Sequence, residues 1–266
     1  MSALFTTPVR EYMSKTLLSV RPETSLAEVQ RIFEERDVWA VPVTDAQGAL
    51  VGILSTTDLL RASTIVLTHV RAVPRVTVPP RTVSELMVRN VITVEADAPL
   101  RAAAAKMVEH RIHRVVVMRD GRPVGVCSTR DAMRAVFFHH IEVPLEAVVT
   151  RPVETIDHGD SIDSAIERLL VGNFHGLVVT DGDWPLGVFT HSEAMKARAL
   201  PPLLRKTPVE QVMSYETICM DVKTPLFRVA GHAMQMRVRR ILAVEHRRLS
   251  GIVTGFDLVR FMTLDP

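Results

Sequence analysis

The stretch Gly125-Val126-Cys127-Ser128-Thr129-Arg130-Asp131 decides the fold, because its glycine, hydroxyl residue and acid return at regular intervals along the chain. In every copy the hydroxyl residue follows the glycine by three positions, and the acid follows by three more. Such self-similarity indicates an internal repeat. The four copies are Gly52, Ser55 and Asp58; Gly125, Ser128 and Asp131; Gly187, Thr190 and Glu193; and Gly251, Thr254 and Asp257.

Each copy opens with an apolar residue that is followed four positions later by Met or Val. From that Met or Val to the glycine the spacing is 39 residues in the first copy and 38 in the other three. The extra residue falls in a predicted turn, Asp45–Gly48, and turns accept insertions most readily. The opening pairs are Val9 and Met13, Val83 and Met87, Leu145 and Val149, and Val209 and Met213.

This pattern resembles the CBS motif, which is named for cystathionine β-synthase. In that family two motifs pair into a Bateman module, and adenine-containing ligands bind in clefts between the motifs. The resemblance covers most of the 266 residues and implies two tandem modules in which adjacent copies pair through their sheets. The predicted motifs run 9–60, 83–136, 145–197 and 209–262, within modules 1–140 and 141–266.

Apolar runs and turn residues predict an α+β fold in which every motif has the order strand, helix, strand, strand, helix. A sheet with helices on one face leaves its other face exposed, so pairing of the motifs is physically required. In the first copy we expect a strand at Leu17–Val20, and in the connection after it we expect Ile65-Val66-Leu67 to extend the preceding helix. In the second copy we expect Val91–Val94, Leu100–Glu109, Val115–Met118, Val124–Cys127 and Arg130–Val136.

Composition indicates an ordinary globular protein of about two domains, with 47% hydrophobic and 23% charged residues. The net charge of +2 makes nucleic acid or an anionic membrane an unlikely partner. The isolated Cys127 and Cys219 offer neither a disulfide framework nor a metal site. Because the sequence has no long apolar run and no signal peptide, we expect a cytoplasmic protein.

The Ser/Thr-x-x-Asp/Glu element has two interpretations, since it is also a capping box that could do no more than start a helix. A residue pair at the start of the preceding hairpin strand distinguishes them, because capping does not require cations there. In two of the four pairs both residues are cationic or can become so. The pairs are Trp39-Ala40, His113-Arg114, His175-Gly176 and Arg239-Arg240.

In CBS proteins that resemble this one, the acid accepts ribose hydroxyls, the Ser/Thr contacts ribose or phosphate, and the basic pair reaches phosphate. Carboxylates and guanidinium groups suit those roles chemically. The resemblance therefore implies competent clefts in copies 2 and 4, incomplete ones in copies 1 and 3, and a base pocket near Thr16, Asn90 and Glu216. The candidate ligand-binding residues are His113, Arg114, Ser128, Asp131, Arg239, Arg240, Thr254, Asp257, Ser55 and Asp58.

The sequence contains no phosphate loop, dinucleotide fingerprint, zinc-protease motif or nucleophile elbow, so we expect no enzymatic activity. We predict a stand-alone regulatory sensor that binds AMP, ADP, ATP or S-adenosylmethionine between paired motifs and needs no other cofactor. Its partners would be a second copy in a homodimer and an unknown downstream protein. The alternative is a ligand-independent, dimerising interaction scaffold in which the repeated element only caps helices.

Overall fold

A computed structural model describes residues 5–36, 38–62, 64–66, 75–172, 176–198 and 200–264. Helices and short sheets alternate in four successive copies, which confirms the predicted α+β fold built from an internal repeat. The contacts divide the chain into two compact units, Met1–Asp131 with Met262–Pro266, and Ala132–Phe261. A module boundary after residue 140 stays a prediction.

Three of the copies contain a three-stranded sheet in which a short first strand runs parallel to the middle strand, and the middle strand forms a hairpin with the third. Copy 2 contains β5 (Thr93–Glu95), α3 (Leu100–Glu109), β6 (Arg114–Arg119), β7 (Arg122–Ser128) and α4 (Thr129–Phe138). Copy 3 contains β8 (Thr155–Asp157), α5 (Ile162–Val171), β9 (Gly176–Asp181), β10 (Trp184–Thr190) and α6 (His191–Arg198). Copy 4 contains β11 (Thr217–Asp221), α7 (Leu226–Gln235), β12 (Arg240–Glu245), β13 (Arg248–Thr254) and α8 (Gly255–Thr263). Copy 1 and the connection after it contain α1 (Leu26–Arg36), β1 (Ala40–Thr44), β2 (Leu50–Ser55), α2 (Thr56–Ala62), β3 (Thr64–Val66) and β4 (Arg75–Thr77).

The first strand of copy 1, predicted at Leu17–Val20, is reduced to one parallel bridge between Val20 and Val43. Pro42 explains the loss. At the corresponding place in copy 2, the amide of Val116 donates to the carbonyl of Ile92 at 3.2 Å and extends the ladder. Proline has no amide hydrogen, so the ladder of copy 1 stops there.

Residues 64–66 form a strand, which corrects the predicted helical extension through Ile65 and Val66; Leu67 lies outside the described residues. The strand β3 pairs antiparallel with β4, with Ile65 opposite Val76. Thr64, Ile65 and Val66 are all β-branched, and β-branched residues favour strands over helices. The preference of these three residues for a strand therefore outweighs continuation of the preceding helix, α2.

The opening segments of copies 1 and 2 are exchanged between the two copies. Ser14 of copy 1 donates its amide to the carbonyl of Val126 in copy 2 at 3.0 Å. In return, Val88 of copy 2 exchanges two backbone hydrogen bonds of 2.9 Å with Ile53 of copy 1. Copies 3 and 4 repeat this arrangement, with Thr150 bonded to Ile252 and Ser214 bonded to Val188. Each copy is therefore completed by its neighbour within the pair.

The exchanged segments also enter the hydrophobic cores. Val83 and Met87 of copy 2 are buried in the core of copy 1 beside Leu26 and Leu54. Val209 and Met213 of copy 4 occupy the same place in the core of copy 3. The sheets of copies 3 and 4 also face each other through a cluster of apolar side chains. That cluster contains Val178, Val188 and Leu242, with Val153, Cys219, Leu249 and Ile252 packed against it.

The repeated glycine is the contact point for the opening residue of the neighbouring copy. A Cβ atom on Gly125 would lie 2.5 Å from the carbonyl oxygen of Ser14 and 2.7 Å from the sulfur of Met13. The same collision would occur at Gly52 with Met87, and at Gly251 with Val149. The glycine is needed because two backbones approach too closely for any side chain. The repeated glycine of one copy and the opening residues of its neighbour, both recognisable in the sequence, are therefore in contact.

Candidate functional site

In every copy the Ser/Thr-x-x-Asp/Glu element lies where the third strand ends and the following helix begins. One carboxylate oxygen of Asp131 accepts hydrogen bonds from the amide and the hydroxyl of Ser128, both at 2.8 Å. Thr254 and Asp257 make the same two bonds at 2.8 Å. Ser55 with Asp58, and Thr190 with Glu193, repeat the arrangement. Among the described residues, the acid thus bonds back to the start of the helix in all four copies, as a capping box requires.

The sheet register brings one cation of each basic pair to this element. Arg114 is the first residue of β6 and lies directly opposite Ser128, while Arg240 is the first residue of β12 and lies opposite Thr254. Side chains directly opposite each other in an antiparallel ladder share one face of the sheet. A guanidinium group, a hydroxyl and the carboxylate bonded to it are therefore assembled at one end of each of these two sheets.

The other member of each basic pair is placed differently. His113 and Arg239 lie one residue before the strand, outside that register, and their side chains are exposed, whereas Arg114 and Arg240 are half-buried. The carbonyl of His113 accepts a hydrogen bond of 3.0 Å from the amide of Thr129, the first residue of α4. The structure therefore favours Arg114 and Arg240 over His113 and Arg239 as residues near the hydroxyl.

Copies 1 and 3 lack a cation in this register. Ala40 lies opposite Ser55 in copy 1, and Gly176 lies opposite Thr190 in copy 3. His175, the one cationic candidate of copy 3, lies outside the described residues. The described strands therefore place a cation opposite the hydroxyl residue in copies 2 and 4 and none there in copies 1 and 3.

Copy 4 contains a contact that sequence reasoning missed. The second carboxylate oxygen of Asp257 accepts a hydrogen bond of 2.7 Å from the hydroxyl of Thr150, which belongs to the opening segment of copy 3. The same oxygen lies 3.2 Å from a guanidinium nitrogen of Arg260. The carboxylate side chain is only 10% exposed. Residues from both copies of the pair therefore form this site.

A signal for Thr150 was present in the sequence. Thr150 directly follows the opening Val149, and the equivalent residues of the other copies are Ser14, Val88 and Ser214, so three of the four carry a hydroxyl. Their partner acids lie in the neighbouring copy, and a pattern confined to one copy could not connect them. In copy 1 the equivalent of this contact is missing, because Val88 has no hydroxyl. Within the part of the chain that the structure describes, Asp58 accepts side-chain hydrogen bonds from Ser55 alone.

Thr16, Asn90 and Glu216 are exposed, and their assignment to a base pocket stays a prediction. No group of three or more metal-binding side chains occurs among the described residues. None of the helices described is long and apolar enough to span a membrane.

A cavity of about 170 Å³ lies between copies 3 and 4 but is separate from the capping end of the sheets. Its lining comes from the hairpin turn of copy 3, including Thr180 and Asp183, and from Leu249–Gly251 in copy 4. The strand β13 carries the chain away from this cavity toward Thr254, so the cavity and the candidate site are at different ends of one strand.

Comparison with known proteins connects this arrangement to a family. The chain is 24% identical over 282 aligned residues to the uncharacterized protein MJ1404 of Methanocaldococcus jannaschii, a match that covers 98% of this chain but only 63% of that protein. The crystal structure of protein MJ1225 from the same organism superposes with a TM-score of 0.71 at 16% identity, covering 96% of this chain and 99% of that one. An uncharacterized conserved protein from Pyrococcus horikoshii superposes with a TM-score of 0.69 at 21% identity, covering 96% and 100%. At these identities the two structures show the fold alone. The family model of the CBS domain matches residues 9–64, 83–137, 145–200 and 209–264, so the chain belongs to the CBS-domain family, with four tandem motifs.

Proposed function

We propose that this chain is a regulatory sensor that binds adenosine-type nucleotides, among AMP, ADP, ATP and S-adenosylmethionine, in the clefts between its paired CBS motifs. The observation that supports this best is the register of copies 2 and 4, where Arg114 lies opposite Ser128 and Arg240 lies opposite Thr254. A helix cap needs no cation at that position, whereas a phosphate group does.

The chemistry of the assembled groups suits a nucleotide. Guanidinium groups donate charge-assisted hydrogen bonds to phosphate, and a carboxylate accepts the two neighbouring hydroxyls of a ribose. The charge is local, because the chain as a whole carries only +2. We therefore assign the principal clefts to Asp131 in copy 2 and Asp257 in copy 4, and weaker ones to Asp58 and Glu193.

A ligand-independent, dimerising interaction scaffold is the second candidate function, and one observation favours it. The acid of every repeated element already bonds to the amide and hydroxyl at the start of its helix. Capping alone stabilises a helix by about 0.5–2 kcal/mol, so it would be a sufficient reason for the element. Capping does not itself call for a cation at the positions of Arg114 and Arg240.

Thermal unfolding of the full chain with AMP, ADP, ATP and S-adenosylmethionine separates the two candidates. A ligand at 100 times its dissociation constant should stabilise the native protein by about 2.7 kcal/mol. In the double variant Arg114→Ala, Arg240→Ala, the nucleotide-dependent shift should be lost while the ligand-free transition stays near that of the wild type. If no compound shifts the wild-type transition, the scaffold is the better description.

We propose that the protein acts as a homodimer in the cytoplasm, catalyses no reaction, needs no cofactor beyond its regulatory nucleotide, and transmits ligand binding to a downstream protein. Chain mass in solution, with and without AMP, tests the dimer.

A further inference from the structure

The carboxylate of Asp257 is fully occupied by hydrogen bonds from protein groups. One oxygen accepts the amide and hydroxyl of Thr254 at 2.8 Å each, and the other accepts the hydroxyl of Thr150 at 2.7 Å and Arg260 at 3.2 Å. A carboxylate has about four acceptor positions. A ribose therefore cannot bind this acid unless Thr150 or Arg260 moves away.

Of these two groups, Arg260 is the one that can leave easily. Its side chain is 50% exposed, and a long side chain at the surface can adopt other rotamers. Thr150 is held by its backbone, which exchanges two hydrogen bonds with Ile252 at 2.9 and 3.2 Å. Binding of a ribose diol at Asp257 is therefore coupled to release of the Arg260 guanidinium.

A basic residue three positions after the acid recurs in every copy of the repeat. On a helix, residues three apart are neighbours, so in copies 2, 3 and 4 the basic side chain can approach the acid of its own copy. The residues are Arg61, Arg134, Lys196 and Arg260.

The release has a consequence that depends on the charge of the ligand. Asp257 is 10% exposed, and a buried carboxylate that loses its counter-ion is destabilised. A ligand with phosphate groups gives Arg260 a new anionic partner beside the acid that it has left. A neutral nucleoside gives it none, and a cationic ligand adds repulsion from Arg240, which lies opposite Thr254.

We propose that Arg260 makes the copy 4 cleft selective for anionic adenine nucleotides, because it exchanges the Asp257 carboxylate for a phosphate group when the ligand binds. This inference rests on the proposed function and specifies its ligand class in that cleft. Arg260 is a specificity-determining residue here, and S-adenosylmethionine, which carries a sulfonium cation and no phosphate, is disfavoured.

Calorimetric titration of the full chain with ADP, adenosine and S-adenosylmethionine tests this inference. The binding event that disappears in Asp257→Ala identifies the copy 4 cleft. For that event, Arg260→Met should weaken the binding of ADP and leave the affinity for adenosine unchanged or higher. The preference for ADP over adenosine should therefore fall by about tenfold or more, because a charge-assisted hydrogen bond to phosphate is lost. Arg260→Lys keeps the charge and should retain most of the preference.

The matched control is Arg248→Met, which removes the same charge from the same copy. Arg248 pairs with Asp183 at 3.1 Å at the hairpin end of β13, and its side chain is 76% exposed. This variant should leave the ADP preference unchanged. If ADP binds the wild type but Arg260→Met keeps the full preference, the inference is wrong and the proposed function stands. If the wild type binds no nucleotide, the proposed function itself fails, and the inference with it.

Discussion

At the scale of single residues, Arg114 offers the most direct test of phosphate recognition in copy 2. Replacing Arg114 by Ala should weaken the binding of AMP by about 1.5–3 kcal/mol, the usual range for a charged hydrogen bond, and should change the binding of adenosine little. Arg122→Ala is the control, because Arg122 is an exposed arginine at the other end of the same hairpin. Titration calorimetry of both ligands measures the difference. Equal losses for AMP and adenosine would show that Arg114 does not contact phosphate.

Asp131 and Glu193 form a matched pair for ribose recognition. Each accepts two hydrogen bonds from the residue at the start of its helix, so Asp131→Ala and Glu193→Ala remove the same kind of cap. We expect similar losses of stability, about 0.5–2 kcal/mol each. Only Asp131→Ala should abolish a nucleotide-binding event, because copy 3 has Gly176 where copy 2 has Arg114. Equal effects on binding in calorimetry would contradict this ranking of the clefts.

His158 is expected to make the junction of copies 3 and 4 sensitive to pH. Its Nδ1 lies 2.9 Å from a carboxylate oxygen of Glu210, and this hydrogen bond, with Asp157 and Asp181 nearby, raises the pKa of His158 above its ordinary value. Because the pKa of His158 is raised in the folded state, its protonated form stabilises the folded protein. This stabilisation is fully present below about pH 6.5, the unfolded pKa, and is lost as the pH rises through the higher pKa of the folded state. Melting temperatures from pH 5.5 to 8.5 should show this loss in the wild type.

The same scan in His158→Gln should be flatter than in the wild type. Glu210→Gln should flatten it to a similar extent, since either change removes the pair. A wild-type slope that persists in both variants would assign the pH dependence to another group.

At the scale of elements, the repeated glycine is predicted to be indispensable for pairing of the copies. In Gly125→Ala the new Cβ would collide with the backbone oxygen of Ser14, which lies 2.5 Å away and cannot rotate aside. We expect a loss of about 1–3 kcal/mol, measured by urea denaturation. In the control, Gly159→Ala, the Cβ meets only a side-chain oxygen of Asp157 at 3.2 Å. Equal unfolding midpoints for the two variants would show that the close approach does not limit stability.

The elements that the sequence predicted well are those in which local preference and burial agree. The helix predicted at Leu100–Glu109 has those bounds, and the hairpin predicted at Val115–Met118 and Val124–Cys127 is present as β6 and β7, which are two and three residues longer. The failures have local chemical causes. Pro42 removed a donor from the first ladder, and three β-branched residues at 64–66 formed a strand beyond α2. Both signals, the proline and the run of β-branched residues, are visible in the sequence.

At the scale of the whole molecule, repeat spacing predicted the family and the element in which the candidate acids lie. It could not predict which side chains from other copies reach those acids. Thr150 lies 107 positions before Asp257, and the two meet only because the opening segment of copy 3 docks on copy 4. The preference for Arg114 over His113 likewise depends on strand register, which a pattern along one chain does not fix.

The exchange of opening segments also determines when each copy can be completed during translation. Copy 1 is synthesised first, but its core contains Val83 and Met87, so it stays open on the ribosome until the start of copy 2 has emerged. Copy 4 supplies Val209 and Met213 to copy 3 in the same way. We therefore expect nascent chains that stall between two partner motifs to expose apolar surface and to need chaperones. We expect the pair, and not the single motif, to be the smallest piece of this protein that folds on its own.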